Sequence, residues 1–141
     1  MLTRVNGYSA ESERTYFTAP PSTAAKAAFD AMMETRRLAF GMIKPGACCS
    51  DLDSAVSEFL NKEGYSGEDQ RLHRMGHGIG LGTHEAPWLA EESDDRLSEN
   101  MVISIEPGIY LKDTGGFRHS DTVLVTKDGY EILTHFPDEL D

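Results

Sequence analysis

Apolar positions along the chain change period twice. Phe29, Met32, Met33, Arg36, Phe40 and Ile43 recur at steps of three and four, which predicts an amphipathic helix of about five turns. Pro20 and Pro21 precede it, Ser22 or Thr23 can cap it, and Lys44-Pro45-Gly46 breaks it. Ser50 with Asp53 three residues on resembles a capping box. Leu52, Ala55, Val56, Phe59 and Leu60 then form one stripe, predicting a second helix that ends before Gly64. Ahead of the helices, LTRV and RTYFT read as extended pieces around the turn-prone Asn6-Gly7 pair, a β-hairpin or meander. Gly64 to Asp95 sustains neither period and reads as a loop that carries a site. Met101 to Ile105 and Ile109 to Leu111 are predicted strands around Glu106-Pro107-Gly108, and Thr122 to Thr126 and Tyr130 to Leu133 flank the turn Asp128-Gly129. The expected class is α+β, with a mostly antiparallel C-terminal half.

Length and charge narrow the function classes. With 141 residues, 39% hydrophobic and 26% charged, the chain fits one domain. Thirteen basic against 24 acidic side chains give a net charge of -11, the wrong sign for nucleic acid or an anionic membrane surface. No apolar run has the length of a membrane span, and the start MLTRVNGYSAESERT lacks a secretory signal, so a soluble cytoplasmic chain is expected. Cys48 and Cys49 are adjacent, a spacing that disfavours a bridge between them, and are read as free thiols.

The candidate chemistry lies in two places. His73, His77 and His84 stand among Gly76, Gly78, Gly80 and Gly82, where backbone and ligand can approach closely. Imidazole serves there as a ligand for divalent metals or as a proton shuttle, while the alternative is a polar loop that histidines merely decorate. Glu106 sits in the apolar run Val-Ile-Ser-Ile-Glu, where an ionised carboxylate needs a partner or a metal. Alternation also allows an edge-strand carboxylate facing solvent, with Ser104 on its face and Ile103 and Ile105 on the other. Arg118 and Asp121 are read as a surface ion pair of little energetic weight.

The series GYSAESERTYF, HRMGHGIGLGTHEAPWL, MVISIEPGIYL and GGFRHSDTVLVTKDG resembles, over nearly the whole chain, the pita-bread family of aminopeptidase P, prolidase, methionine aminopeptidase and creatinase. The resemblance implies a curved, mostly antiparallel sheet backed by helices. It also implies two divalent metals, manganese, cobalt or zinc, held by two aspartates, one histidine and two glutamates, which activate water against a scissile carbonyl. By the family's pattern His77 and Glu106 fall on metal-binding positions, His73 and His84 on substrate-side histidines, and Arg118 on the arginine beside the last ligand. Glu11 falls where the second aspartate stands, and Glu13 replaces a supporting threonine. The last glutamate is replaced by Ser120, and the first aspartate falls ahead of Met1, so the chain resembles the C-terminal portion, residues 1–141, of an N-terminally truncated catalytic domain with a degenerate metal site.

Two classes of function follow. One is a hydrolase similar to Xaa-Pro aminopeptidases and prolidases, acting on an amide or related C–N bond of a small peptide-like substrate, with a metal-free creatinase-like reaction as its variant. The other is a non-catalytic protein that keeps the fold. Tight binding of a binuclear metal centre is not expected from so incomplete a ligand set. A homodimer is expected, because an incomplete sheet exposes an edge and the stripe Phe29, Met32, Met33 and Phe40 exceeds what a short hairpin buries.

Overall fold

The computed structural model describes residues 2–138; Met1, with which the first sequence block opens, lies outside them. Strands β1 (Leu2–Val5) and β2 (Tyr8–Glu13) are joined by Asn6-Gly7 alone. Both turn residues have positive φ, 52° and 90°, which is the backbone of the tight hairpin that this dipeptide favours. Such a turn makes Tyr8 the first residue of the second strand, opposite Val5. The expected strand RTYFT is therefore displaced, and the polar stretch YSAESE pairs instead.

Helix α1 (Thr23–Met42) is capped by Ser22, whose Oγ accepts the Ala25 N–H at 3.2 Å. Its stripe packs inward: Met32 is fully buried, Phe40 is 7% exposed, and Phe29 lies 5.3 Å from the Phe17 ring and 5.4 Å from that of His119. The stripe is thus covered within the chain by the segment before the helix and by the hairpin of residues 108–118, which removes it as the ground for self-association.

Helix α2 (Cys49–Lys62) starts earlier than the Ser50 capping box predicts. The backbone of residues 46–49 pairs with that of 95–97: Gly46 N donates to Leu97 O at 2.8 Å and Cys49 N to Asp95 O at 2.9 Å. This long-range pairing makes Cys48 the cap residue without a side-chain cap, and Ser50 Oγ turns to Cys48 Sγ at 3.2 Å. Both cysteines are free. Gly64, at φ 87°, ends the helix with Tyr65 N donating back to Leu60 O at 2.8 Å.

The loop-like stretch from Gly64 to Asp95 holds two short strands, β3 (Gly76–Gly78) and β4 (Glu85–Leu89). Strands β5 (Val102–Ile105), β6 (Gly108–Leu111), β7 (Gly115–Arg118), β8 (Ser120–Val125) and β9 (Tyr130–Ile132) follow. Among the described residues the main sheet runs β1-β2-β8-β5-β3-β4, with β9 beside β2 on the same flank of β8, while β6 and β7 form a separate hairpin. Every pairing is antiparallel. Strand β3 escapes a pattern search because Gly-His-Gly has no apolar alternation. A Cβ on Gly76 would meet the Ser104 carbonyl oxygen, and one on Gly78 that of Ala86, well inside contact distance, so only glycine lets β3 fit between β5 and β4.

Strand β8 separates two environments. Val123 and Val125 face the core with Ile103 and Ile105, while Ser120 and Thr122 face the opposite side with Ser104. Asp121 shares the core face and is fully buried. Its Oδ1 accepts from Arg14 Nη2 and Thr134 Oγ1 at 2.8 and 2.9 Å, and its Oδ2 takes the guanidinium of Arg36. The surface pair expected between Arg118 and Asp121 does not form, because the two side chains leave adjoining strands toward different partners.

Replacing Asp121 with Ala leaves two largely buried arginines without their anion, so a loss of about 3–5 kcal/mol of folding free energy is expected in urea denaturation. A change below about 1 kcal/mol, the weight of an exposed pair, would show that the cluster is inessential.

Candidate active site

One face of the sheet gathers the chemistry. His77 on β3 lies opposite Ser104 on β5, Ser104 opposite Thr122 on β8, and Glu13 on β2 opposite Ser120. Period-two alternation then puts Glu11, Glu13, Ser104, Glu106, His77 and Ser120 on a common face. Glu106 follows an internal strand and is 7% exposed, which excludes the solvent-facing edge reading.

The geometry converges on His77 Nε2. The ring is 1% exposed, and its Nδ1 lies 3.0 Å from the Gly78 carbonyl, which accepts the ring N–H and fixes the tautomer. Nε2 is then a bare lone pair, without a hydrogen-bond partner, aimed at Glu106 Oε1 at 3.1 Å and Glu11 Oε1 at 3.9 Å. A lone pair facing two carboxylates repels them until a cation comes between. That cation is either a proton on the ring or a metal ion. Burial pushes the His77 pKa down, but the hydrogen bond that a protonated Nε2 would give Glu106, the Gly78 carbonyl and the charges of both glutamates outweigh it and leave it raised.

Glu11 is held as an anion. Burial raises its pKa, yet hydroxyl donation from Ser104 and, at 2.8 Å, from Ser120, with the charges of His77 and Arg118, brings it below the ordinary carboxylate value. Glu11, His77 and Glu106 present ligand atoms that all lie within 4.8 Å of one another, two hard oxygens and one imidazole nitrogen. This set suits one divalent transition metal. Ser120, where the sequence motifs lead one to expect a further carboxylate, spends its hydroxyl on Glu11, and among the described residues only Glu11, His77 and Glu106 gather as ligands.

The remaining residues surround this centre. The His84 ring, in an exposed position, lies with its centroid 4.3 Å from that of His77, tilted by 54°. His73 stands further off and is tied by Nε2 to the Tyr110 hydroxyl at 2.8 Å. Arg118 pairs with Glu13 and reaches Glu106 Oε2 at 3.4 Å, and the hydrogen bond to Glu13 leads the causes that hold its guanidinium firmly charged. Tyr110 was not singled out from sequence. Its only local signal is a polar-tipped aromatic in a short strand two residues past Gly108.

The chain matches the model of metallopeptidase family M24 over residues 1–127 and belongs to that family. It is 37% identical over 135 residues to the Xaa-Pro dipeptidase of Lactobacillus helveticus, covering 96% of this chain and 36% of that protein. Among solved structures, the X-Pro aminopeptidase of Thermotoga maritima superposes with a TM-score of 0.89 at 34% identity, over 97% of this chain and 38% of that one. The prolidase from Pyrococcus furiosus gives 0.88 at 36% identity, over 94% and 39%. The fold is the pita-bread fold expected from the sequence motifs, and the family implies use of a divalent metal. The chain spans little more than a third of the length of the relatives it matches.

Because the folded pKa of His77 is raised, the charged ring contributes stability that is fully present below its ordinary value of 6.5 and is lost as pH rises through the higher folded value. Without added metal, the melting temperature of the wild type relative to His77→Gln is therefore expected to fall as pH climbs from 6.5. Manganese competes with that proton, so calorimetric affinity should rise over the same window, with at most one ion per chain. A pH-independent difference, or two ions bound, would contradict this reading.

Proposed function

We propose that residues 1–141 are the C-terminal portion of a pita-bread catalytic domain and that it works as an Xaa-Pro dipeptidase- or aminopeptidase-like hydrolase with a degenerate metal site. The observation that carries this reading is the bare Nε2 of His77 facing the carboxylates of Glu11 and Glu106. These three residues would hold one manganese, cobalt or zinc ion. The chemistry such an ion supplies is polarisation of a carbonyl oxygen and activation of water.

The chain's own groups divide the remaining work. Gly78 holds the ring of His77 in the ligating tautomer, and Ser104 and Ser120 fix the carboxylate of Glu11. Arg118, anchored by Glu13, orients Glu106. His84, exposed above His77, can hold a proton at the leaving nitrogen, and His73, braced by Tyr110, contacts a small peptide-like substrate. Among the described residues no helix is long and apolar enough to cross a membrane, and the acidic composition disfavours nucleic acid; a cytoplasmic location belongs to this proposal on the strength of the free thiols of Cys48 and Cys49.

A second reading rests on the raised pKa of His77. A protonated ring between Glu11 and Glu106 satisfies the same geometry without metal, as a creatinase-like acid–base site or a non-catalytic remnant would. Release of proline from Xaa-Pro dipeptides with excess manganese separates these readings. Slow turnover is expected that chelator abolishes and that Glu106→Gln lowers at least about 100-fold, the usual scale for losing one catalytic group. Turnover indifferent to chelator would favour the metal-free site, and none at all the remnant.

The chain is also proposed to form a dimer. Val5, Tyr8, Leu81 and Leu133 stay exposed at 71%, 63%, 64% and 45%. Light scattering at about 100 micromolar, where modest interfaces associate, is expected to give twice the 15.6 kDa chain mass. A monomer there would remove the dimer from the proposal.

A further inference from the structure

The segment after β9, residues 133–138, folds back against β8 and is held there by groups from distant parts of the chain. Leu133 N donates to Thr122 O at 2.8 Å, Thr134 Oγ1 to Asp121 Oδ1 at 2.9 Å, and the Tyr16 hydroxyl to Pro137 O at 2.7 Å. Asp138 then joins the charge cluster around Asp121. Its Oδ1 stands 3.2 Å from Arg14 Nε and 3.5 Å from Nδ1 of the fully buried His119, and its Oδ2 accepts from Arg36 Nη1 at 3.4 Å. That Oδ1 is buried without a hydrogen-bond partner, so charge rather than bond direction holds it. Two largely buried guanidiniums are thus met by two carboxylates, whereas Asp121 alone would leave one positive charge behind β8 unbalanced.

Arg14 carries this balance to the candidate site. Strand β2 meets β8 over two residue pairs, Ser12 opposite Asp121 and Glu13 opposite Ser120. At the second pair Arg14 Nη1 donates to both carbonyls, Glu13 O at 2.8 Å and Ser120 O at 2.9 Å, and so staples the two strands. Glu11 lies two residues before Glu13 on β2, and Ser120 Oγ donates to its carboxylate at 2.8 Å. The staple therefore fixes the spacing between a candidate ligand and the hydroxyl that orients it. With Nη1 on the carbonyls and Nη2 on Asp121 and Phe136 O, Nε is the remaining edge of the guanidinium, and Asp138 is the anion beside it.

We propose that Asp138 is a positioning residue for the centre of Glu11, His77 and Glu106: by balancing the charge of Arg14 it locks the short β2–β8 junction on which Glu11 and Ser120 are mounted. Without that carboxylate the excess positive charge behind the junction opposes an incoming cation, and the staple loosens. Both effects weaken the hold of the centre on an ion. Only one of the two readouts below rests on the reading of those three residues as an ion site.

Calorimetric titration with manganese is expected to show Asp138→Asn weakening the affinity at least about threefold, with Asp138→Glu, which keeps the charge, within about twofold of the wild type. Amide hydrogen exchange gives the second readout. In Asp138→Asn, protection in residues 12–15 and 118–121 is expected to fall at least about tenfold while Val56 and Leu60 of α2 keep theirs. A chain that is merely destabilised loses protection in α2 as well. Should Asp138→Asn fail to fold by circular dichroism, Tyr16→Phe, which frees Pro137 and keeps every charge, should lower protection in the same residues at least about threefold. If the wild type binds no manganese, the ion-site reading fails and exchange alone decides this proposal. It is overturned if protection at the junction is unchanged, if it falls equally in α2, if Asp138→Asn holds manganese as tightly as the wild type, or if Asp138→Glu behaves like Asp138→Asn.

Discussion

Compensation of carboxylates buried against one strand is the constraint on which this structure depends. Strand β8 carries Asp121 on its core face and Ser120 and Thr122 on the other, and each face has drawn in partners from remote sequence. On the core side Arg14, from the segment after β2, and Arg36, from α1, close on Asp121 and tie the first hairpin, the long helix and the sheet to one point. On the other side Thr122 Oγ1 binds the Glu11 backbone in both directions, accepting from its N–H and donating to its carbonyl, each at 2.9 Å. Glu11 is thereby delivered to the neighbourhood of His77.

The same constraint shapes the site. Two glutamates held in a largely dehydrated sheet face repel each other, and the chain has met that cost with hydroxyls at Glu11 and a guanidinium at Glu106. What remains uncompensated is the space between them, at the lone pair of His77. A proton and a divalent ion are rival occupants of that space, and family M24 membership favours the ion. Ser120 moves the balance back toward the proton, because a neutral hydroxyl both withholds a charge and saturates an oxygen of Glu11. Relatives are nearly three times as long, and this chain carries the Glu11, His77 and Glu106 cluster.

Asp53 on α2 shows a weaker compensation in a second setting. It is as buried as the carboxylates at the centre, but Arg71 stands 3.6 Å from its Oδ1 and gives its Nη1 to Ser57 Oγ at 2.6 Å. A carboxylate oxygen here and an imidazole nitrogen at the centre are thus each buried without a hydrogen-bond partner.

The sequence by itself determined what depends on near neighbours. The apolar periods of α1 and α2, the cap at Ser22, the Asn6-Gly7 turn and the stop at Gly64 all follow from local steric and hydrogen-bond preferences, and they stand where the pattern puts them. That His77, Glu106 and Glu11 are residues to look for together was signalled too, by a histidine among glycines, a carboxylate in an apolar run and a family motif, and folding brings the three side by side. Tertiary structure alone decided the rest. Strand β3 has no apolar residue to reveal it and exists because two neighbouring backbones need its missing side chains. The start of α2 moved because a distant segment claimed the cap's backbone. Asp121, in sequence a polar residue beside a strand, became the ionic hub of the core, since a buried charge takes its meaning from partners that only folding brings within reach.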